Sequence, residues 1–349
     1  MMFKRLLTVL LFLFASTSVY SQLSKTHYIP PVAGQNVSDH MIYISTPSTG
    51  YINVTIKPIG GTRTDWKTRT VSNDDPWDFS TGTGRGDIIR DINDLNGVIN
   101  NSGYIIESQG LTYASFRLNS TQQTCRDTPG GPTYPCNYHS GAYVSKGESA
   151  LGSRLRTATF TNSAGNASGN GEPQHFISII ATQDNTKVTL SDFPPGIEFT
   201  NNDLAGAQTS PLVLPVLNKN ETYILGFSPS HSQSRTIQEA LIGALVSSED
   251  NLGGTDTKPV VVVSGSIGGS LRNGTWQNTD YGLDQITDIE LLGSEYIFIK
   301  GNALDEIEKV ILIADENGTP IFKDGVNTGI VLDAGEHIIY QGGDYTNGS

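Results

Sequence analysis

Three consecutive segments decide the fold that we expect, namely Phe176-Ile-Ser-Ile-Ile-Ala181, Thr182-Gln-Asp-Asn-Thr186 and Lys187-Val-Thr-Leu190. β-Branched and apolar residues dominate the outer two segments, whereas Asp and Asn in the middle one favour a turn. The pattern predicts a strand, a tight turn and a second strand. It recurs where Val310-Ile-Leu-Ile-Ala314 precedes Asp315-Glu-Asn-Gly-Thr319. These hairpins are similar enough to be copies.

Two further landmarks recur along the chain. Leu217-Asn-Lys-Asn-Glu221 matches Leu332-Asp-Ala-Gly-Glu336, and Gly141-Ala-Tyr-Val-Ser145 matches Gly243-Ala-Leu-Val-Ser247. Because the landmarks keep their order, a duplicated unit explains them better than biased composition does.

The sequence therefore predicts an all-β protein of tandem β-sandwich-like repeats. Four strands per unit leave a β-propeller-like arrangement as the alternative. We predict a first β unit at 22–165, a second at 172–292, and the start of a third at 293–349. The third unit is expected to be truncated, as in the front part of a longer protein.

The amino-terminal segment predicts export. Lys4-Arg5 precedes Leu6–Phe14, a near-continuous apolar run of nine residues. Such a run is too short to span about 30 Å of hydrocarbon, so a signal peptide at 1–21 is favoured over a membrane anchor. We expect a secreted or cell-surface protein.

The composition excludes a class of partner. Across 349 residues, 22 Lys and Arg stand against 35 Asp and Glu, for a net charge of −13. Binding to nucleic acid phosphates requires a cationic surface, so we expect no nucleic-acid partner.

Only two cysteines are present, Cys125 and Cys136. Two nearby cysteines in an exported chain usually pair, and the Pro-Gly-Gly-Pro between them favours a chain reversal. We predict a structural disulfide. The alternative, a redox or metal pair, lacks the Cys-x-x-Cys spacing and a neighbouring histidine set.

Several aromatic residues lie in polar, turn-rich segments, where an exposed ring could stack on a sugar. In the alternative interpretation, each Trp fills the end of a sandwich core. The candidate ligand contacts are Trp66, Trp77, Tyr134, Tyr138 and Trp276.

Two groups of acidic residues could bind Ca²⁺, because its ligands are carboxylate oxygens. Neither group reproduces the EF-hand pattern, and solvated turn carboxylates are the simpler interpretation. No other cofactor is predicted. The candidate calcium ligands are Asp74, Asp75, Asp78, Asp87, Asp91 and Asp94.

The landmarks also resemble a known family, the IgGFc-binding protein amino-terminal domain, as found in large surface adhesins of gliding bacteria. The resemblance spans about the whole mature chain. It implies a surface adhesion module exported by a type IX secretion system, and it carries no catalytic residues. The motifs are Leu23-Ser-Lys-Thr-His-Tyr-Ile-Pro-Pro31, Gly141-Ala-Tyr-Val-Ser-Lys-Gly147, Ala181-Thr-Gln-Asp-Asn-Thr186, Lys258-Pro-Val-Val-Val-Val-Ser-Gly265 and Asp280-Tyr-Gly-Leu-Asp-Gln-Ile286.

We therefore predict a non-enzymatic module that attaches to an extracellular glycan, glycoprotein or surface. Two other classes of function remain as alternatives. A secreted polysaccharide hydrolase would need two carboxylates about 5–5.5 Å apart in a cleft if it retains configuration. A structural spacer would only position downstream domains.

Overall fold

The computed structural model describes residues 22–34, 37–60, 65–84, 86–120, 122–126, 133–137, 140–159, 175–199, 204, 206–226, 239–269 and 280–346. These residues form many antiparallel strands and no α-helix, which confirms the all-β prediction. Within the same ranges, no helix is long and apolar enough to cross a membrane. Short 3-10 helices lie at Ile92–Asp94, Gly147–Ala150, Ile289–Leu291 and Gly342–Asp344.

The strands in chain order are β1 (Ser24–Ile29), β2 (Val32–Ala33), β3 (Val37–Ser45), β4 (Ile52–Pro58), β5 (Lys67–Val71), β6 (Trp77–Gly82), β7 (Ile89–Arg90), β8 (Val98–Ile99), β9 (Tyr104–Ser120), β10 (Gln122–Arg126), β11 (Thr133–Asn137), β12 (Gly141–Val144) and β13 (Arg154–Arg156). The chain continues with β14 (His175–Ala181), β15 (Thr186–Ser191), β16 (Ile197–Glu198), β17 (Ala207–Gln208), β18 (Leu212–Val213), β19 (Thr222–Gly226), β20 (Leu245–Asp250), β21 (Val260–Gly269), β22 (Asp280–Gln285), β23 (Lys309–Ile313), β24 (Thr319–Lys323), β25 (Val326–Leu332) and β26 (His337–Gln341).

The long strand β9 belongs to two sheets of the amino-terminal half. Its first part pairs with β1 and β4, and its second part pairs with β3 and β12. Strands β5 and β6 extend the two sheets. Alternating residues such as Ile42, Val54 and Phe116 point inward and form the core between the sheets.

A central sheet, ordered β22-β21-β14-β19-β8, separates this core from a second one. Val263 belongs to the first core, whereas Val260 and Val262 belong to the second. Both faces of β21 are covered at these positions, which explains why this strand is a continuous apolar run without polar alternation.

The second core lies between the central sheet and a sheet ordered β13-β20-β15-β18. This pair of sheets gives the sandwich-like arrangement. Strand β13 pairs with β20, and β8 pairs with β19. Strand pairing therefore crosses the interval between the first two predicted units, and the division at 165–172 stays a prediction.

The hairpins of the second and third predicted units share the same hydrogen bonds. The Ala181 N–H donates to the Glu221 carbonyl over 3.0 Å, and the Ala314 N–H donates to the Glu336 carbonyl over 3.0 Å. Both glutamate side chains also accept the backbone N–H three residues earlier, over 2.7 and 2.8 Å. The sequence landmarks thus mark the same local structure twice.

Arg156 of β13, which falls within the first predicted unit, connects the second sandwich to the predicted third unit. Its guanidinium donates to Asp315 of the third unit over 2.8 Å, and also to Asp192 and the Gly243 carbonyl over 2.6 and 2.8 Å. Nearby, a Cβ added at Gly243 would overlap the carbonyl oxygen of Gly335. The joint therefore combines ion pairs between a buried guanidinium and two partly exposed carboxylates with close backbone contact.

Candidate binding surface

Trp66 is exposed at the start of β5, with 56% of its surface accessible. The Lys57 ammonium lies 4.6 Å from the centroid of its ring, and Lys57 also forms an ion pair with Glu107 over 2.5 Å. The cation above the ring and the salt bridge beside it hold the indole at the edge of the sheet.

The alternation of β4 places the polar neighbours of Trp66 on the same face. Val54 and Ile56 are buried, so Asn53, Thr55 and Lys57 point outward. The hydroxyls of Thr55 and its cross-strand partner Thr68 lie 3.1 Å apart, and the Asn53 N–H donates to Gln109 over 3.2 Å. We call this surface the Trp66 face, defined by Asn53, Thr55, Lys57, Trp66, Thr68 and Glu107.

The Trp66 face has the chemistry of a carbohydrate-binding surface. The indole offers a flat apolar area for the C–H face of a sugar ring. The Thr hydroxyls, the Asn amide and the Glu carboxylate offer donors and acceptors for sugar hydroxyls. Because the Lys57 and Glu107 charges compensate each other, the face favours a ligand without a large net charge.

The other aromatic candidates do not join this surface in the described part of the chain. Trp77 is only 9% exposed, lies in the first core and contacts Phe79 edge to face, with centroids 5.6 Å apart. Core packing is therefore the role that its position supports. Trp276, Tyr138 and the Tyr134 side chain lie outside the described residues.

The structure gives several of the calcium candidates protein partners. Asp75 pairs with Arg69 over 2.6 Å, and Asp94 pairs with Arg90 over 3.4 Å. One Asp91 oxygen accepts two hydrogen bonds from Asn93. Asp74 and Asp78 are exposed, and the Asp87 carbonyl accepts the Gly103 N–H. Across the described ranges, no three His, Cys, Asp or Glu residues cluster as a metal site.

The predicted disulfide falls on the β10–β11 hairpin. Cys125 pairs in register with Tyr134, and Cys136 pairs with Gln123. The register therefore sets the two cysteines two positions apart along the ladder of the hairpin. Their side chains lie outside the described residues, so the disulfide stays a prediction.

Among the described residues, the large pKa shifts belong to buried groups. Burial lowers the pKa of His27 and of His175 to about 4, and burial raises the pKa of Tyr143 well above its usual value. His27 lies 2.9 Å from the Thr112 carbonyl, within the first sandwich. A surface cavity beside Lys146 contains a single carboxylate, Glu148, which is short of the carboxylate pair of a retaining glycosidase.

Comparison with models of known protein families gives one match. The model of the family described as IgGFc binding protein matches residues 141–346. The chain belongs to the IgGFc-binding protein family. No curated protein and no solved structure matches the chain.

The family match covers β12 to β26, which include the second sandwich, the predicted third unit and every strand of the central sheet except β8. IgGFc-binding domains form a family of binding modules that are typically extracellular. The Trp66 face precedes Gly141, where the match begins, so its role rests on geometry alone.

Sequence reasoning found Trp66 but missed the polar residues around it. Lys57 and Glu107 are separated by 50 positions, and only the register of β4 against β9 brings them together. The outward alternation of β4 was the available signal, because Asn53, Thr55 and Lys57 already occupy every second position.

Proposed function

We propose that this IgGFc-binding family member is a secreted or cell-surface adhesion module, and that it binds an extracellular glycan or glycoprotein through the Trp66 face. The observation that carries the proposal is the exposed Trp66 ring, held by Lys57 beside a row of hydroxyl and amide groups. The family supports a binding role, and the Trp66 face supports the chemical class of the ligand.

Recognition would combine ring stacking with hydrogen bonds to an uncharged saccharide. A single shallow face gives weak affinity, because few ligand atoms are buried. Display of many copies on a cell surface would raise the apparent affinity through effective concentration. Attachment of this kind suits adhesion to mucin or to a surface on which a cell glides.

A glycan array probed with residues 22–349 tests the proposal. Trp66→Ala should weaken binding by about tenfold or more, because the stacking surface is lost. Tyr296→Ala is the matched control, since Tyr296 is similarly exposed but lies in the third unit. Equal binding by both variants would contradict a role for the Trp66 face.

A structural spacer is the second candidate, favoured by the buried Arg156 joint between the second sandwich and the predicted third unit. In that case residues 22–349 would bind no glycan, whereas a longer polypeptide that carries further domains would bind. Comparing the two proteins on the same array separates the candidates.

We also propose, from the resemblance to adhesins of gliding bacteria, that a type IX secretion system exports the protein. Deletion of that system should abolish surface display. Detection with an antibody on intact cells measures the outcome, and unchanged display would reject this route.

A further inference from the structure

Tyr51 provides a second exposed aromatic ring on the side of the sheet that carries the Trp66 face. It lies directly before β4 and is 66% exposed. Because Ile52 packs against the first core, the alternation of β4 directs Tyr51 to the opposite, outward side, like Asn53. The outward row of β4 therefore has an exposed aromatic ring near each end.

The two rings are separated by about the length of the strand. Lys67 pairs with Ile56, which places Trp66 beside Lys57, and the Lys57 ammonium contacts its ring. Strand residues advance by about 3.3 Å each, so the six steps from Tyr51 to Lys57 set the rings about 20 Å apart along the strand. A single sugar ring is far shorter than this separation, so one ligand that contacts both rings must contain several sugars.

Uncharged polar side chains of β4 and β5 occupy the interval between the rings. Asn53 lies opposite Thr70 in the register of the two strands. Thr55 lies opposite Thr68 on the same outward side, with their hydroxyls 3.1 Å apart. Within the described ranges, neither the Asn53 side-chain amide nor the Thr70 hydroxyl bonds to another residue, so both remain available to a ligand.

We propose that Tyr51 and the Trp66 face together bind one extended, linear and uncharged polysaccharide chain, which runs along β4 and β5. This inference rests on the proposed function and narrows its ligand to a chain of several sugars. The C–H faces of two separate sugars would stack on the two rings, and hydroxyls of the sugars between them would bond to the row of polar side chains. A strongly charged chain is disfavoured, because Lys57 and Glu107 already compensate each other.

The regular pairing of β4 with β5 selects an extended chain. Their ladder runs from Ile52 to Ile56 without a shift of register, so the outward side chains form a straight row. A coiled chain would contact one ring and bend away from the other. When one chain contacts both rings, the second contact forms intramolecularly and reinforces the first. Affinity should therefore rise steeply once the ligand is long enough to contact both rings.

Calorimetry on residues 22–349 with oligosaccharides of increasing length tests the proposal. The probes are cello-oligosaccharides and chito-oligosaccharides, from the disaccharide to the hexasaccharide, and the control is a malto-oligosaccharide series, whose chains coil. The affinity for at least one extended series should rise by about tenfold or more with length, and the rise should be smaller for the coiled series. An affinity that does not change with length, an equal rise for the coiled series, or no binding of either extended series would overturn the proposal.

Matched variants assign the rise in affinity to the second ring. Tyr51→Ala should weaken binding of the hexasaccharide by about tenfold and remove the gain with length, whereas Tyr51→Phe keeps the ring and should keep the gain. A gain that survives Tyr51→Ala would overturn the proposal. If the gain is absent but Trp66→Ala still weakens binding on the glycan array, the proposed function stands and only the extended chain is rejected. If the unsubstituted protein binds no glycan on the array, both fail.

Discussion

Arg156→Ala tests whether the third unit is held by one buried guanidinium. The Arg156 side chain is only 6% exposed and donates three hydrogen bonds, two of them to carboxylates. Charge-assisted hydrogen bonds contribute about 1.5–3 kcal/mol each. Asp192 and Asp315 are 36% and 29% exposed, so in the variant water would replace much of the hydrogen bonding that their carboxylates receive from Arg156. The buried Gly243 carbonyl would lose its donor at a cost of about 1–3 kcal/mol.

We therefore expect Arg156→Ala to lower the free energy of unfolding by about 3 kcal/mol. Arg154→Ala is the control, because Arg154 is 49% exposed and reaches Asp315 over 3.3 Å, so its loss should cost about 0.5 kcal/mol. Urea unfolding followed by circular dichroism measures both, and hydrogen exchange at 309–341 reports on the third unit. If Arg156→Ala costs no more than Arg154→Ala, the joint is not held by this ion pair.

Three further predictions concern stability. Because the pKa of folded His27 is lowered to about 4, its contribution to the free energy of unfolding is complete above about pH 6.5 and is lost as the pH falls from about 6.5 to about 4. His27→Gln should therefore flatten this part of a plot of unfolding free energy against pH. An unchanged slope would contradict the lowered pKa. Gly243 and Gly253 both have positive φ, but a Cβ would meet a backbone carbonyl only at Gly243. Gly243→Ala should therefore destabilise the protein strongly, whereas Gly253→Ala should lower the free energy of unfolding by only about 1 kcal/mol. Thermal unfolding compares the two variants, and equal losses of stability would refute the close contact. If Cys125 and Cys136 form a disulfide, Cys125→Ser should lower the free energy of unfolding by about 3 kcal/mol. If they do not, mass spectrometry of the unsubstituted protein after alkylation without reductant would show two alkylated thiols.

The local hairpins were predictable because turn chemistry and alternation are encoded by adjacent residues. The turn of the second unit is built as expected, with Asn185 in the left-handed region and a hydroxyl bond from Thr186 to Gln183. The Val260–Val263 run predicted a strand but not its place between two cores. That placement depends on contacts with sheets far away in sequence.

The candidate site was predicted only in part. Trp66 and Trp77 have similarly polar surroundings, yet one is exposed and the other is buried. The alternation Trp77-Asp78-Phe79-Ser80 contained the signal, because Trp77 and Phe79 point to one side of β6 and Asp78 points to the other. Pairing of Lys57 with Glu107 required the register of two distant strands, which single-sequence patterns do not supply.

The doubly covered central sheet has a mechanical consequence. Strands β14 and β21 carry side chains of both cores, so pulling on the chain ends cannot dismantle one sandwich while the other stays intact. Under tension the two cores should unfold together, in a single step at high force. The predicted third unit contacts the rest of the chain through the ion pairs of Asp315 with Arg154 and Arg156, the His337–Glu239 pair and the approach of Gly335 to Gly243. These contacts are few beside the two cores, so this unit should detach and extend before the cores unfold.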